Sequence, residues 1–210
     1  MLRRCMAEFL GTALMVGIGC GSIALDASGA VVSISFGVAV TIAILLFQPI
    51  SGAHINPAVS LAFFRSGHLE KEAVGPYIVA QLSGASFAAF LLDGAGPTTV
   101  ADDVSFLTAS SIEVFITFAL MASIYWIVLR SQTHVSIAVF VGFVVAVLAY
   151  LFGPFTGASM NPARPFGPNI FSDLYPSIPF YSFMTVCGAL IVAELFVRLK
   201  LGKTAAETQD

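Results

Sequence analysis

Two asparagines, Asn56 and Asn161, head matching stretches of the 210-residue chain: Ser51-Gly52-Ala53-His54-Ile55-Asn56-Pro57-Ala58-Val59 and Thr156-Gly157-Ala158-Ser159-Met160-Asn161-Pro162-Ala163-Arg164. Each reads as a small-residue loop entering a helix, with Asn at the N-cap and Pro in the first helical position, where its missing N–H costs nothing. The chemistry on offer is hydrogen bonding without charge. Each asparagine amide carries N–H donors for a passing oxygen, and each helix N-terminus adds roughly half a positive charge. Two such ends aimed at one point disfavour cations there. A water held by both asparagines turns its oxygen to them, which interrupts a hydrogen-bonded proton wire.

The motifs belong to a longer repeat. Asn161 lies 105 positions after Asn56, and Glu113 lies 105 after Glu8, half the length of the chain. The two glutamates open similar apolar runs, Glu8-Phe9-Leu10-Gly11-Thr12 and Glu113-Val114-Phe115-Ile116-Thr117. A repeat of this kind organises the fold before any other feature. We expect repeat 1 over about residues 1–105 and repeat 2 over about 106–210. Together they form one domain over 1–203, followed by a short polar tail at 204–210.

The elements that must position these motifs are apolar. Hydrophobic residues make up 58% of the chain and charged ones 10%, and the mean hydropathy is +0.93. Soluble domains carry about 25% charge, so composition places the chain in a bilayer. The net charge of -3 argues against a nucleic-acid partner. Six runs approach the ~20 residues needed to cross hydrocarbon: Leu2–Leu25, Val31–Pro49, Val74–Leu92, Phe106–Leu129, Val135–Phe152 and Ile178–Leu199. Asn56–Phe64 and Asn161–Phe171 are too short to span, and are expected to be half-helices reaching about half the core. Arg3-Arg4 before the first run could mimic a cleaved leader, but Glu8 within it and its match in the second half make it a span.

Basic residues set the expected orientation. With the N-terminus inside, the inner segments carry Arg3, Arg4, Arg65, Lys71, Arg130, Arg198, Lys200 and Lys203, eight of the nine Lys and Arg. The outer loops carry Asp26, Asp93, Asp102, Asp103 and Asp173. Both termini are therefore expected in the cytoplasm, with the chain in the cell membrane. Arg164 alone breaks the pattern, and an intramembrane charge of that kind marks function. Three spans per half invert the second repeat, so the short helices dip in from opposite faces and meet near the midplane. Loop backbone at that depth must be buried in protein or line a wet path.

Other polar residues have plainer readings. Glu8 and Glu113 are expected to hold the re-entrant loops, Glu194 to reach water near the end of its span, and His54 to fill a hydrogen-bonding role or act as a pH sensor. His68 and His134 are expected to be solvated. Gly17 and Gly21 form a Gly-x-x-x-Gly suited to helix packing within the subunit. The three cysteines, Cys5, Cys20 and Cys187, are too scattered for a disulfide framework or a zinc site. No nucleophile–base pair, phosphate loop or metal cluster suggests an enzyme, and no cofactor is implied.

On the two Asn-Pro-Ala motifs and the Glu-led runs, the chain resembles the aquaporin, or major intrinsic protein, family from Glu8 through the sixth span. The resemblance implies an all-α integral membrane fold of six transmembrane helices plus two re-entrant half-helices, with an inverted internal repeat. It implies a homotetramer in the lipid bilayer and passive flux of water and small neutral solutes. It also locates a selectivity filter at Phe36, Ala149, Ala158 and Arg164. Ala149 falls where water-selective members often carry His. Two alanines there leave a wider, apolar opening, which points to glycerol, urea or an undissociated metalloid hydroxide. Pro165 in place of the Asp common in glycerol facilitators, and Phe180-Tyr181 at the start of the sixth span, point instead to a strictly water-selective channel. A coupled secondary transporter and a non-conducting junction protein of the same fold are the alternatives outside the channel class.

Overall fold

A computed structural model describes residues 1–131, 133–199 and 201. Lys200, Lys203 and the tail at 204–210 lie outside the described residues. Eight α-helices follow in order: α1 (Leu2–Ala24), α2 (Gly29–Ser51), α3 (Pro57–Arg65), α4 (Lys71–Leu91), α5 (Phe106–Arg130), α6 (His134–Thr156), α7 (Ala163–Phe171) and α8 (Ile178–Arg198). A 3-10 turn at Tyr175–Ser177 precedes α8. Among the described residues, six helices are long and apolar enough to cross a membrane. α3 and α7, of nine residues each, are not.

The expected spans hold within a few residues. The largest difference is α6, which runs through Pro154 to Thr156 where the apolar run ends at Phe152. α2 likewise runs through Pro49 to Ser51. Proline in a helix interior removes one backbone hydrogen bond. Here each lies in the last turn, and Gly52 and Gly157 then end the helices in the left-handed conformation at φ 92° and 72°.

Packing follows the repeat. α1 packs on α2 and α4, and α5 packs on α6 and α8; α3 lies against α8, and α7 against α4. α2 and α6 pack on each other. They touch at Gly37 and Gly142, where the carbonyl of each occupies the space a β-carbon on the other would need. Thr41 Oγ1 adds a bond to the Ala138 carbonyl at 3.3 Å. Gly17 and Gly21 face α4 within the subunit, but the approach there is loose. A β-carbon on either would meet α4 only at ordinary distance, 4.0 Å from Ala88 or 3.8 Å from Leu92. The tight α1–α4 approach is instead at Gly84, against the Phe9 carbonyl, and its counterpart is Gly188 against the Val114 carbonyl.

Gly84 and Gly188 are 104 positions apart, as are Tyr77 and Tyr181, so the last helix of the second half is shifted by one residue from the offset of 105. One end of the bundle carries Arg4, Arg65, Arg130 and Arg198 and is called the basic end; the other carries Asp26, Asp93, Asp102 and Asp173. At the basic end Glu194 does not simply reach water: it pairs with Arg65 and, at 2.6 Å, with Arg198. Arg4 pairs with Glu70. His134 is exposed; His68 is exposed but bonds the Ser66 hydroxyl at 3.0 Å. Cys5, Cys20 and Cys187 are all free thiols.

Candidate functional site

The two loops are built on buried carboxylates. Glu8 accepts from Ser51 Oγ at 2.6 Å, the backbone N–H groups of His54 at 2.9 Å and Ile55 at 2.6 Å, and Gln81 Nε2 at 2.8 Å. Glu113 accepts from Thr156 Oγ1 at 2.7 Å and the N–H groups of Ser159 at 3.0 Å and Met160 at 3.2 Å. Loop N–H groups that no helix or sheet could satisfy are thereby paired inside the bundle.

The loops need that support because their backbone is strained. Ala53, Ile55, Ala158 and Met160 have φ of 47°, 45°, 44° and 53°. For a β-branched residue such as Ile55 a left-handed conformation is unusual, and strain of this kind costs about 1–3 kcal/mol. Two tyrosines that the motif search passed over complete the clamp. Tyr77 Oη donates to the Ser51 carbonyl at 2.7 Å, and Tyr181 Oη to the Thr156 carbonyl at 2.9 Å. Their spacing of 104, against 105 for the motifs, hid the correspondence. His54 is held by Ser60 Oγ at 3.0 Å from Nδ1 and stacks on Phe63 at 4.8 Å. It is built into the loop.

Asn56 caps α3, accepting through Oδ1 from Ala58 N at 2.8 Å and Val59 N at 3.4 Å. Pro57 is the first residue of that helix. The second motif differs in detail. α7 starts one residue later, at Ala163, with Pro162 already in helical conformation before it. Asn161 Oδ1 still accepts from Ala163 N at 2.9 Å, while its carbonyl accepts from Arg164 N at 3.1 Å in a tighter turn.

The motifs meet and brace each other. Asn56 Nδ2 donates to the Met160 carbonyl at 2.9 Å, and Asn161 Nδ2 donates to the Ile55 carbonyl at 2.9 Å. Each amide thus donates to the residue preceding the opposite asparagine. One N–H of each amide thereby holds the loops together, and a primary amide has one more to offer; that of Asn161 lies against Met15 Sδ, 3.6 Å from Nδ2. Both asparagines line one cavity of about 710 Å³. It runs from His68 and Val128 near the basic end, past the asparagines, to Pro97 and Thr99 near the other end.

Phe36, Ala149, Ala158 and Arg164 all line that cavity, on the side away from the basic end. The Arg164 guanidinium lies 5.0 Å from the centre of the Phe36 ring. It is 6% exposed, and its Nη1 has no hydrogen-bond partner. A buried guanidinium without partners is expensive unless something in the cavity accepts from it, and with Nη1 shielded that falls to its other N–H groups. Gly19 makes the room for Phe36, whose ring fills the space a β-carbon there would take. Among the described residues no group of three His, Cys, Asp or Glu side chains could hold a metal ion.

The model of the major intrinsic protein family matches residues 1–196. Aquaporin AqpM of Methanothermobacter marburgensis is 32% identical over 234 residues, covering 92% of this chain and 95% of that protein. The glycerol uptake facilitator protein of Escherichia coli K12 is 33% identical over 210 residues, covering 81% of this chain and 74% of that protein. Among solved structures, the aquaglyceroporin from Plasmodium falciparum superposes with a TM-score of 0.88 over 96% of this chain and 97% of that one, at 22% identity, which shows the shared fold. With helices, paired loops and sequence matched along nearly the whole chain, the protein belongs to the major intrinsic protein family of membrane channels.

Proposed function

We propose that the protein is a passive channel for water and small neutral solutes, glycerol and urea among them, that excludes protons and ions. One observation carries the reading: Arg164, buried and short of one partner, faces two alanines and a phenylalanine across a continuous cavity. Such a site offers hydrogen bonds to an acceptor on one side and apolar surface on the other. A small solute with hydroxyl groups along a carbon backbone presents both. Ala149 and Ala158 leave lumen that a histidine would fill, and pore width and lining donors set selectivity.

Ion exclusion follows from charge. α3 and α7 point their N-termini at the asparagine pair, each contributing roughly half a positive charge, and Arg164 adds a full one. Among the described residues no carboxylate lines the cavity to offset them, and Glu8 and Glu113 are spent on the loops. Similarity to both an aquaporin and a glycerol uptake facilitator supports this substrate range. The single channel domain spans 1–203, the termini lie in the cytoplasm of a cell whose surface membrane holds the protein, and four copies assemble with one passage each.

Osmotic stopped-flow on proteoliposomes tests the reading with water, glycerol, urea and arsenous acid. We expect flux of all four with weak temperature dependence and no response to a proton gradient. Water flux without glycerol or urea flux would leave a strictly water-selective channel; steep temperature dependence with proton coupling would make it a transporter.

A further inference from the structure

From Val32 through Phe36 to Gln48, every fourth residue of α2 lines the cavity, and α6 does the same from Ile137 to Gly153. Shifted by 105, Gln48 falls on Gly153. The residues that hold the loops keep their chemistry across that shift: Glu8 with Glu113, Ser51 with Thr156, Asn56 with Asn161. Gln48 does not. The mouth at the basic end has an amide where the other mouth has no side chain.

The amide is not part of the scaffold. Its side-chain oxygen is shielded and has no hydrogen-bond partner, and its backbone carbonyl already accepts from Gly52 N at 3.0 Å. An unpaired amide among apolar neighbours is destabilising, whereas a leucine or methionine at the same place would not be. Between Gln48 and the asparagines the wall is largely apolar, with Ile44, Val59, Leu120 and Val141. By the same shift, Ile44, Val141 and Val59 stand where Ala149, Phe36 and Arg164 stand in the other half. This half of the passage therefore has no charged filter, and His54, which also lines it, is tied to Ser60.

We propose that Gln48 is a specificity determinant, a neutral hydrogen-bonding station for small polyols in the half of the passage nearer the basic end. A polyol can slide its carbon backbone along Ile44 and Val141 while one hydroxyl oxygen accepts from Gln48 Nε2, the amide atom that is not shielded. Water moves there as a chain whose members bond each other, and depends on one side chain much less. The inference rests on the neutral-solute reading above.

The test compares wild type with Gln48→Met, which keeps length without branching, and Gln48→Asn, which keeps the amide one carbon back. Glycerol and water fluxes are measured on the same proteoliposomes, and their ratio cancels differences in insertion or folding. Loss of one neutral hydrogen bond lowers the glycerol-to-water ratio about three- to tenfold in Gln48→Met, with Gln48→Asn in between. A ratio within about twofold of wild type in Gln48→Met, whatever the absolute fluxes, overturns the proposal while leaving the neutral-solute reading standing. Wild-type protein that passes water but no glycerol overturns both.

Discussion

Gly37 and Gly142 face each other across the α2–α6 crossing, each with its carbonyl oxygen where a β-carbon on the other would have to go. A methyl group at 142 would also press on Thr41 Oγ1. Overpacking of this kind costs about 1–3 kcal/mol. Gly142→Ala should lower the unfolding midpoint in detergent accordingly. Gly75→Ala, in α4 where a β-carbon meets nothing within 4 Å, should leave it unchanged or raised. Equal midpoints for the two variants would show that the crossing tolerates separation.

Glu8 serves four donors and Glu113 three. Each buried donor left unpaired costs about 1–3 kcal/mol. Glu8→Ala should therefore abolish recovery of folded protein. Glu8→Gln keeps the shape but turns an N–H toward existing donors, and should lose most flux. Thr156→Ala removes one donor from Glu113 and the acceptor of Ala158 N–H, and should cost about 1–3 kcal/mol. Solubilised yield and thermal unfolding rank the three.

Asn56 and Asn161 do two jobs each, capping a helix and bracing the opposite loop. Loss of a cap costs about 0.5–2 kcal/mol, and loss of the brace strands the Met160 or Ile55 carbonyl as well. The single Ala variants should each be destabilised. The double variant should lose less than the sum, because the two bonds hold the same pair of loops. A strictly additive double variant in a thermal melt would show that the loops are held independently.

Ala149→His places a polar ring opposite Phe36. It should reduce glycerol and urea flux at least about tenfold while water falls much less, since pore width limits the larger solute first. Arg164→Ala should widen the passage and admit monovalent cations by removing its one full charge. Stopped-flow and cation-flux assays read the two outcomes. Unchanged glycerol flux in Ala149→His would place the narrow point elsewhere.

Glu70, exposed at the basic end, has its carboxyl held below the ordinary value of 4.5, first by the hydrogen bond from Arg4. A depressed carboxyl contributes stability that is present above the ordinary value and is lost as pH falls through the lower, folded one. The Arg4–Glu70 contact should thus be intact from neutrality down to about pH 4.5 and fail beneath it. Wild type should lose thermal stability over that acid range more steeply than Glu70→Gln. Parallel acid profiles would remove the pair from the account.

Much of this was legible in the sequence because it depends on near neighbours. Hydropathy gives six spans, and Asn-Pro marks two helix starts. The spacing shared by Glu8 with Glu113 and Asn56 with Asn161 gives the repeat. The Gly-x-x-x-Gly at Gly17 marks a face that meets α4, but spacing does not say how near the partner comes. Tyr181 stayed hidden because a one-residue shift broke its register with Tyr77. One partner of Glu194 was hidden too, since Arg65 lies 129 positions away, whereas Arg198 is only four residues on in α8.

By itself the sequence determined a duplicated, membrane-embedded chain with two asparagine-headed half-helices, one arginine out of place among the basic residues and two acids repeated within apolar runs. These follow from composition, period and capping chemistry, all of which act within a few turns of chain. Only the tertiary structure decided that the asparagines brace each other's loops, that Tyr77 and Tyr181 clamp them, that Gly37 meets Gly142, and that Gln48 is left facing the passage without a partner. Those outcomes depend on which atoms from remote segments come within about 3 Å of one another, and no local pattern carries that distance.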